Sequence, residues 1–533
     1  MAHTESEVDT MTLPETPTAG DNRQWLIMLY LAGDDAKGDN NMSEAITKLV
    51  HKLKNPKYLP DNRNMHLVIL ADGLIEEGKP VTQIYYQQGT QLREVTEMAL
   101  SCEDWMSPKE GPEGARQVNT GDDKTLESFI LWACSTYSAT YTMLALVNHG
   151  GGWGFDTGNP GQPNGNPNTS PWRGGICVDL RVPEQKSWLS TKRTSEVMKT
   201  VAETRRKPKP INVLFFDACL MGMIECAYEV WDYVDYVVAG ENLLWAELPY
   251  EQYLNSQVLK EDTTPYQLAR GLVERYNIGG SPVPFTIATL DTSLLPDLGS
   301  LVNQLAQQLL DGIDDDRRSN IRAAYRRSQM FDYNNDWLIS SDEACVDLLD
   351  FAQKLREQAG IPESVKEIAG KVIAKIGTNH RVCETIDRIH EPATPPAQIP
   401  PGVLGDSQVV IAIRARSGGV TKGNEPIEWD LSNAYGLSIY LPAGMRDFRL
   451  KDRKDYSEKT QLPLQLDCYS QPWQLRFTAE VGKWAELLRD IDHYIARTED
   501  ERGLLPNCVF SNFNLPHLLR VRKPSGAKPP SVV

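Results

Sequence analysis

A chain of 533 residues with 41% hydrophobic and 24% charged side chains can bury a large core, as two to four domains or as one elaborated α/β domain. A net charge of −17, from 55 basic against 72 acidic residues, argues against a nucleic-acid or anionic-membrane binder, because phosphate contacts need an excess of Lys and Arg. The nine cysteines are scattered without a CxxC pair, which excludes a disulfide scaffold and a zinc ribbon, and no apolar run reaches 18 residues, so no membrane-spanning helix is expected. Residues 1–23 are rich in Thr, Glu, Pro and Asp and read as disordered, with neither the basic nor the apolar region of a secretory signal. The expected location is therefore cytoplasmic, with export by another route left open.

Trp25-Leu26-Ile27-Met28-Leu29-Tyr30-Leu31-Ala32 is a continuous apolar run that stops at Gly33-Asp34-Asp35. Such a run fits a strand covered on both faces. A helix follows through Leu53, then a second strand over 65–71 ending in Asp72-Gly73. A helix over 125–133, a third strand over 141–148, a helix over 190–205 and a fourth strand over 211–216 continue the alternation. A helix over 223–231 and a short strand over 236–240 complete it. Strands alternating with helices predict α/β architecture with a mostly parallel, doubly wound sheet. Residues 156–175, rich in Gly, Asn and Pro, read as a functional loop. Further on, 264–278, 292–330, 342–358 and 362–376 read as largely helical, 408–413 and 437–441 as strands, 391–407 as a linker and 479–497 as a helix.

Ligands of open parallel sheets bind beyond the carboxyl ends of the strands, so the residues after each apolar run matter most. The third strand ends in His149-Gly150-Gly151-Gly152-Trp153 and the fourth in Asp217-Ala218-Cys219. A thiol of ordinary pKa is only a few per cent thiolate at neutral pH, and a neighbouring imidazole can activate it and later protonate a leaving amine. Glycines after the histidine can turn backbone N–H groups toward an oxyanion. A helix starting soon after Cys219 would favour its thiolate. Either residue alone reads as an ordinary core thiol or hydrogen-bonded histidine. Together, at successive strand ends and joined by a crossover helix, they predict a Cys–His site. Asp217 shares a face with Cys219 on an extended chain and suits a receptor for a cationic side chain, or else a cap for the next helix.

Asn148-His149-Gly150-Gly151-Gly152-Trp153, with Asp217-Ala218-Cys219-Leu220-Met221-Gly222-Met223-Ile224-Glu225, resembles the clostripain family of cysteine peptidases, relatives of caspases, gingipains and legumains. Leu29-Tyr30-Leu31-Ala32, Asp39-Asn40-Asn41-Met42, Gly240-Glu241-Asn242 and Tyr435-Gly436-Leu437-Ser438-Ile439-Tyr440-Leu441-Pro442 support it. The resemblance implies a caspase-like α/β/α sandwich over 24–442, with a catalytic core at 24–250, helical and strand additions at 251–442, and a C-terminal extension at 443–533 of no assigned role. It implies His149 as general base and acid and Cys219 as nucleophile, with the N–H groups of Gly150 and Cys219 as oxyanion donors. It further implies Asp217 as receptor of a P1 Arg or Lys in polypeptide substrates. Self-cleavage between the two motifs, at Arg173, Arg181, Lys186, Lys192 or Arg193, is a family trait, with Arg173 beside the polar loop favoured. No cofactor is required, and calcium activation is known in the family although no EF-hand loop is present. The segment 33–38 departs from the family pattern by separating the first strand from the Asp-Asn-Asn stretch. The competing reading is a non-enzymatic binding or scaffold protein that keeps this fold.

Overall fold

The computed structural model describes residues 22–33, 42–59, 61–76, 79–95, 118–154, 174–179, 187–245, 248–255, 258–278, 280, 283–332, 339, 343–377, 381–385, 407–422, 425–443, 469 and 475–501. The strands are β1 (Arg23–Leu31), β2 (Met65–Glu76), β3 (Lys79–Gln88), β4 (Gln91–Glu94), β5 (Ala139–Val147), β6 (Ile176–Asp179), β7 (Ser187–Leu189) and β8 (Ile211–Asp217). They continue as β9 (Val234–Ala239), β10 (Phe285–Asp291), β11 (Met330–Phe331), β12 (Cys345–Asp347), β13 (Arg381–Thr385), β14 (Val410–Lys422), β15 (Glu425–Trp429) and β16 (Ser438–Tyr440). The helices are α1 (Ser43–Lys54), α2 (Asp123–Thr136), α3 (Thr191–Arg205), α4 (Ile224–Val230), α5 (Tyr250–Tyr253) and α6 (Pro265–Arg275). Six more are α7 (Leu295–Leu310), α8 (Asp315–Arg326), α9 (Leu348–Glu357), α10 (Glu363–Ile376), α11 (Arg476–Glu480) and α12 (Gly482–Glu501).

One sheet runs in the order β13-β14-β10-β9-β8-β5-β1-β2-β3-β4, with β15 added on β14. Its centre, β9-β8-β5-β1-β2, is parallel throughout. The sequence predicts these five strands because burial on both faces demands unbroken apolar runs. Of the flanking strands it predicts β14, read at 408–413, but not β3, β4, β10 or β13. The β2-β3-β4 meander and β10 pair antiparallel, and polar residues break the apolar runs of β3 and β10.

Alternate residues of β1 show how both faces are covered. Trp25 donates its indole N–H to Thr263 O at 3.1 Å, next to the start of α6. Tyr30, of opposite parity, donates to Thr120 O at 3.0 Å and packs on Phe129 of α2. One face thus carries α1, α5 and α6, and the other carries α2, α3, α4 and α7. The crossover helices start where the sequence places them: Ser190 accepts from Arg193 N at 3.2 Å to cap α3, and Thr264 with Gln267 forms a capping box on α6.

The boundary drawn at 442 needs correction for the described part of the tail. Leu475, Phe477, Val481, Trp484, Leu487 and Ile491 belong to the same buried core as the central strands. Two carboxylates of α4 receive this layer: Tyr469 donates to Glu225 at 2.8 Å and Phe477 N to Glu229 at 3.0 Å. Trp484 donates to Tyr440 O at 3.1 Å, and Arg318 of α8 binds Asp490 of α12 at 2.9 Å. Residues 1–21, the linker at 391–406 and 502–533 lie outside the described residues.

Candidate active site

The parallel register of β5 and β8 pairs Val147 with Asp217. His149 and Cys219 each lie two residues beyond that pair, so the topology brings both to one edge of the sheet. The approach is close. A Cβ placed on Gly150 would lie 2.4 Å from Cys219 O and 2.9 Å from Ala218 Cβ, a contact that only glycine avoids. Asn148 ties this corner together, donating to Ala32 O at 2.5 Å and accepting from Val178 N at 2.9 Å. The histidine side of the site is therefore fixed to the ends of β1 and β6 as well.

Beyond His149 the glycines serve a second close approach. Gly151 N donates to Gly175 O at 3.0 Å, and Gly175 N donates to Gly152 O at 2.9 Å. The first bond commits the Gly151 N–H away from an oxyanion role. The described chain on either side of residues 155–173 is thus held together next to His149. Arg173, Arg181 and Lys186 lie outside the described residues. Lys192 and Arg193 open α3, where Arg193 donates to Trp188 O at 2.9 Å and pairs with Asp123 at 2.6 Å. A peptide bond in a capped helical turn must unwind before a protease can bind it extended. These two positions are accordingly poor cleavage sites.

Cys219 is 4% exposed. Its Sγ accepts from Leu244 N at 3.4 Å and faces Leu244 O at 3.8 Å, so both polar groups of one residue hold the thiol. Burial pushes the thiol well above its ordinary value, against the Leu244 N–H that lowers it, and the nearby Asp332 and Asp217 raise it further. Burial thus favours the neutral thiol over the thiolate at Cys219. The expected helix-dipole activation is not found: α4 begins only at Ile224 and spans seven residues. Instead Leu220 follows the thiol with φ 64°, in the left-handed region. That conformation costs about 1–2 kcal/mol for a side chain with a Cβ. It is sustained by a paired wall, in which Leu220 N donates to Asn242 O at 3.2 Å and Gly222 N to Gly240 O at 2.7 Å.

Asp217 is 1% exposed and shares its strand face with Phe215, whose ring packs on Tyr250 and Tyr253. Tyr250 donates to Asp217 Oδ2 at 2.9 Å, while Oδ1 has no hydrogen-bond partner among the described residues. Burial pushes its carboxyl up to about 7, opposed by the Tyr250 hydroxyl. No ion pair with Asp217 occurs among the described residues. The helix-cap alternative fails, since the residue capping α4 is Met223, without a side-chain bond. Sequence patterns gave no sign of Leu244, Tyr250 or Asp332, because each reaches the site from a distant element. Among the described residues no group of three or more His, Cys, Asp or Glu is placed to hold a metal ion, and no helix is long and apolar enough to cross a membrane.

The chain is similar to known proteins in sequence profile and fold. The profile of the clostripain family matches residues 36–488. Clostripain of Hathewaya histolytica is 24% identical over 213 residues, a stretch spanning 39% of this chain and 36% of that protein. A secreted C11 cysteine protease from Bacteroides thetaiotaomicron, solved with an irreversible peptide inhibitor, superposes with a TM-score of 0.51 at 13% identity, covering 86% of this chain and 99% of that one. An inactive zymogen C11 protease from Parabacteroides distasonis gives 0.48 at 16% identity, over 84% of this chain and 98% of that one. The superposition identifies the fold as that of the caspase-like C11 proteases, and the profile match over most of the chain settles its kinship: the protein belongs to the clostripain family.

Proposed function

We propose that the protein is a cysteine endopeptidase that cleaves polypeptides after Arg or Lys, with Cys219 as nucleophile and His149 as general base and acid. Cys219 Sγ attacks the scissile carbonyl while His149 takes the thiol proton. The tetrahedral oxyanion is met by the N–H groups of Gly150 and Cys219, and His149 then protonates the leaving amine. Water repeats the sequence to release the acyl-enzyme. The observation that carries the P1 preference is Asp217, a buried carboxylate with an open oxygen and no ion-pair partner among the described residues. A guanidinium or ammonium seated there would relieve its desolvation and complete its hydrogen bonding. The chemistry requires no cofactor, so EDTA should leave turnover unchanged and added calcium tests the remaining dependence.

The neutral, covered thiol supports a latent form. The pairing of Gly151 and Gly152 with Gly175, which brings the chain on both sides of residues 155–173 beside His149, supports self-cleavage within or next to that segment, with Arg173 the favoured site. A mass-spectrometric map of the purified protein, run beside Cys219→Ala, tests the whole reading. The expected result is new termini after basic residues in the wild type only. Identical maps, with no cleavage of Arg- or Lys-P1 fluorogenic peptides, would return the chain to the scaffold reading.

A further inference from the structure

Behind the wall that holds the Cys219 loop lie two carboxyl groups with no cation between them among the described residues. Glu241 follows β9 inside the wall, and Asp347 ends β12; they are 1% and 0% exposed. Adjacent peptide groups of one turn serve them both, Tyr435 N donating to Asp347 Oδ2 at 2.6 Å and Gly436 N to Glu241 Oε2 at 3.0 Å. Asp350 N donates to Asp347 Oδ1 at 2.8 Å. Three of the four oxygens therefore have a backbone donor, while Glu241 Oε1 has no donor among the described residues. Because their donors sit on consecutive residues, the two carboxyl groups lie side by side. Two ionised carboxylates side by side in a buried site repel, and one proton on Glu241 Oε1, the oxygen without a donor, both removes that repulsion and completes the set.

We infer that Glu241 and Asp347 share one buried proton, and that this proton locks the 240–245 wall in place, making Glu241 a positioning residue for the nucleophile. The same segment carries the carbonyls of Gly240 and Asn242 that hold Gly222 and Leu220, and the Leu244 groups on the thiol. Loss of the proton puts two negative charges in contact and drives the wall off β12. Leu220 then relaxes from its left-handed conformation and Cys219 leaves its position. The surroundings favour one retained proton. Arg381 of β13 draws Glu241 toward ionisation, Asp350 of α9 opposes ionisation of Asp347, and Lys354 is engaged with Asp350 at 3.5 Å. Burial is the dominant cause and raises both carboxyls, Glu241 further. The folded chain thus keeps a proton that the unfolded chain releases near pH 4. Turnover should fall, and stability decline, as pH rises through the alkaline step of the pair.

Glu241→Gln separates this role from simple packing. Its amide donates to Asp347 and its carbonyl accepts from Gly436 N, so the bonds persist with nothing to titrate. Casein, which offers every P1 residue, serves as substrate, and Cys219→Ala as the blank. The wild type should lose at least tenfold in kcat on the alkaline side, whereas Glu241→Gln should stay within about twofold of its neutral value. Glu241→Ala should lose on the order of 100-fold in kcat at neutral pH with little change in KM, the scale of a small misplacement of a reacting group. The infrared band of neutral buried carboxyl groups, recorded at mildly alkaline pH, should shrink in Glu241→Gln. An unchanged band overturns the shared proton, even if Glu241→Ala fails to fold. A shrunken band with an alkaline limb identical to the wild type overturns the positioning role. Activity in Cys219→Ala would instead refute the nucleophile on which the inference rests.

Discussion

Two parts of one sheet bury charge in opposite ways. On β13 and β14, Glu384 receives Arg414 at 3.0 Å and Arg416 at 2.7 Å, and Arg414 also donates to the carbonyls of Val273, Glu274 and Tyr276. Arg414 is as buried as Asp217, at 1% exposure, but its guanidinium is met on several sides. At the ends of β5 and β8, Asp217 keeps an open oxygen and Cys219 a neutral thiol. A saturated ionic cluster stabilises architecture, whereas a buried carboxylate with an open oxygen, as at Asp217, marks where something must bind. The contrast separates structural charge from functional charge within a single core.

That contrast can be broken most directly at the reacting groups. Cys219→Ala and His149→Ala should each lower kcat/KM for peptide cleavage by about 10⁴-fold or more while leaving the thermal unfolding midpoint close to wild type. Residual cleavage within tenfold of wild type would move the chemistry elsewhere. The opposite result is expected of Glu384→Ala. Removing the shared partner of two buried arginines should cost roughly 3–5 kcal/mol in denaturant unfolding and leave the ratio of basic to neutral P1 cleavage unchanged.

Asp217→Asn should cut kcat/KM for Arg and Lys substrates by about 10²-fold and barely affect neutral P1 residues. Equal losses on both would class Asp217 with the structural charges. Its pH dependence has a defined sign. The folded-state carboxyl is raised to about 7 and must ionise to receive a cation, so cleavage after Arg should fall as pH drops through 7. The free fold behaves oppositely. It retains a proton that the unfolded chain loses near pH 4, so stability falls as pH rises from about 4 to 7, and Asp217→Asn should flatten that slope. The smallest effect is expected at Leu220→Gly, which relieves the left-handed strain. Leu220 is buried, so loss of its side chain outweighs the roughly 1–2 kcal/mol of strain relieved; stability should fall by about 1–3 kcal/mol in denaturant unfolding, and turnover should slow as the Cys219 loop is freed. A faster enzyme would show that the strain opposes the chemistry.

The central strands were legible because continuous apolar runs, from Trp25 to Leu31 and from Ile211 to Phe216, have no other stable place than a sheet covered on both faces. His149 and Cys219 were legible for the same reason, since each ends such a run. β10 was not, because Phe285–Asp291 is short and its apolar residues are broken by Thr286 and Thr289, and β12 spans only three residues. The C-terminal layer was missed because α12 shows an apolar helical face without saying what it covers.

The sequence by itself determined the parallel core, its order of helices and strands, and the coincidence of a histidine and a cysteine at two strand ends. Only the tertiary structure decided that the two strands are neighbours, with Val147 opposite Asp217. It alone decided that the thiol lies neutral beneath Leu244 and that Asp217 meets Tyr250 rather than a helix end. It alone set Glu241 against Asp347, 106 positions away in the chain. The physical reason is that periodicity is a local property, set by which faces of an element are covered. Protonation and hydrogen-bond saturation depend on groups that meet only after the chain has folded.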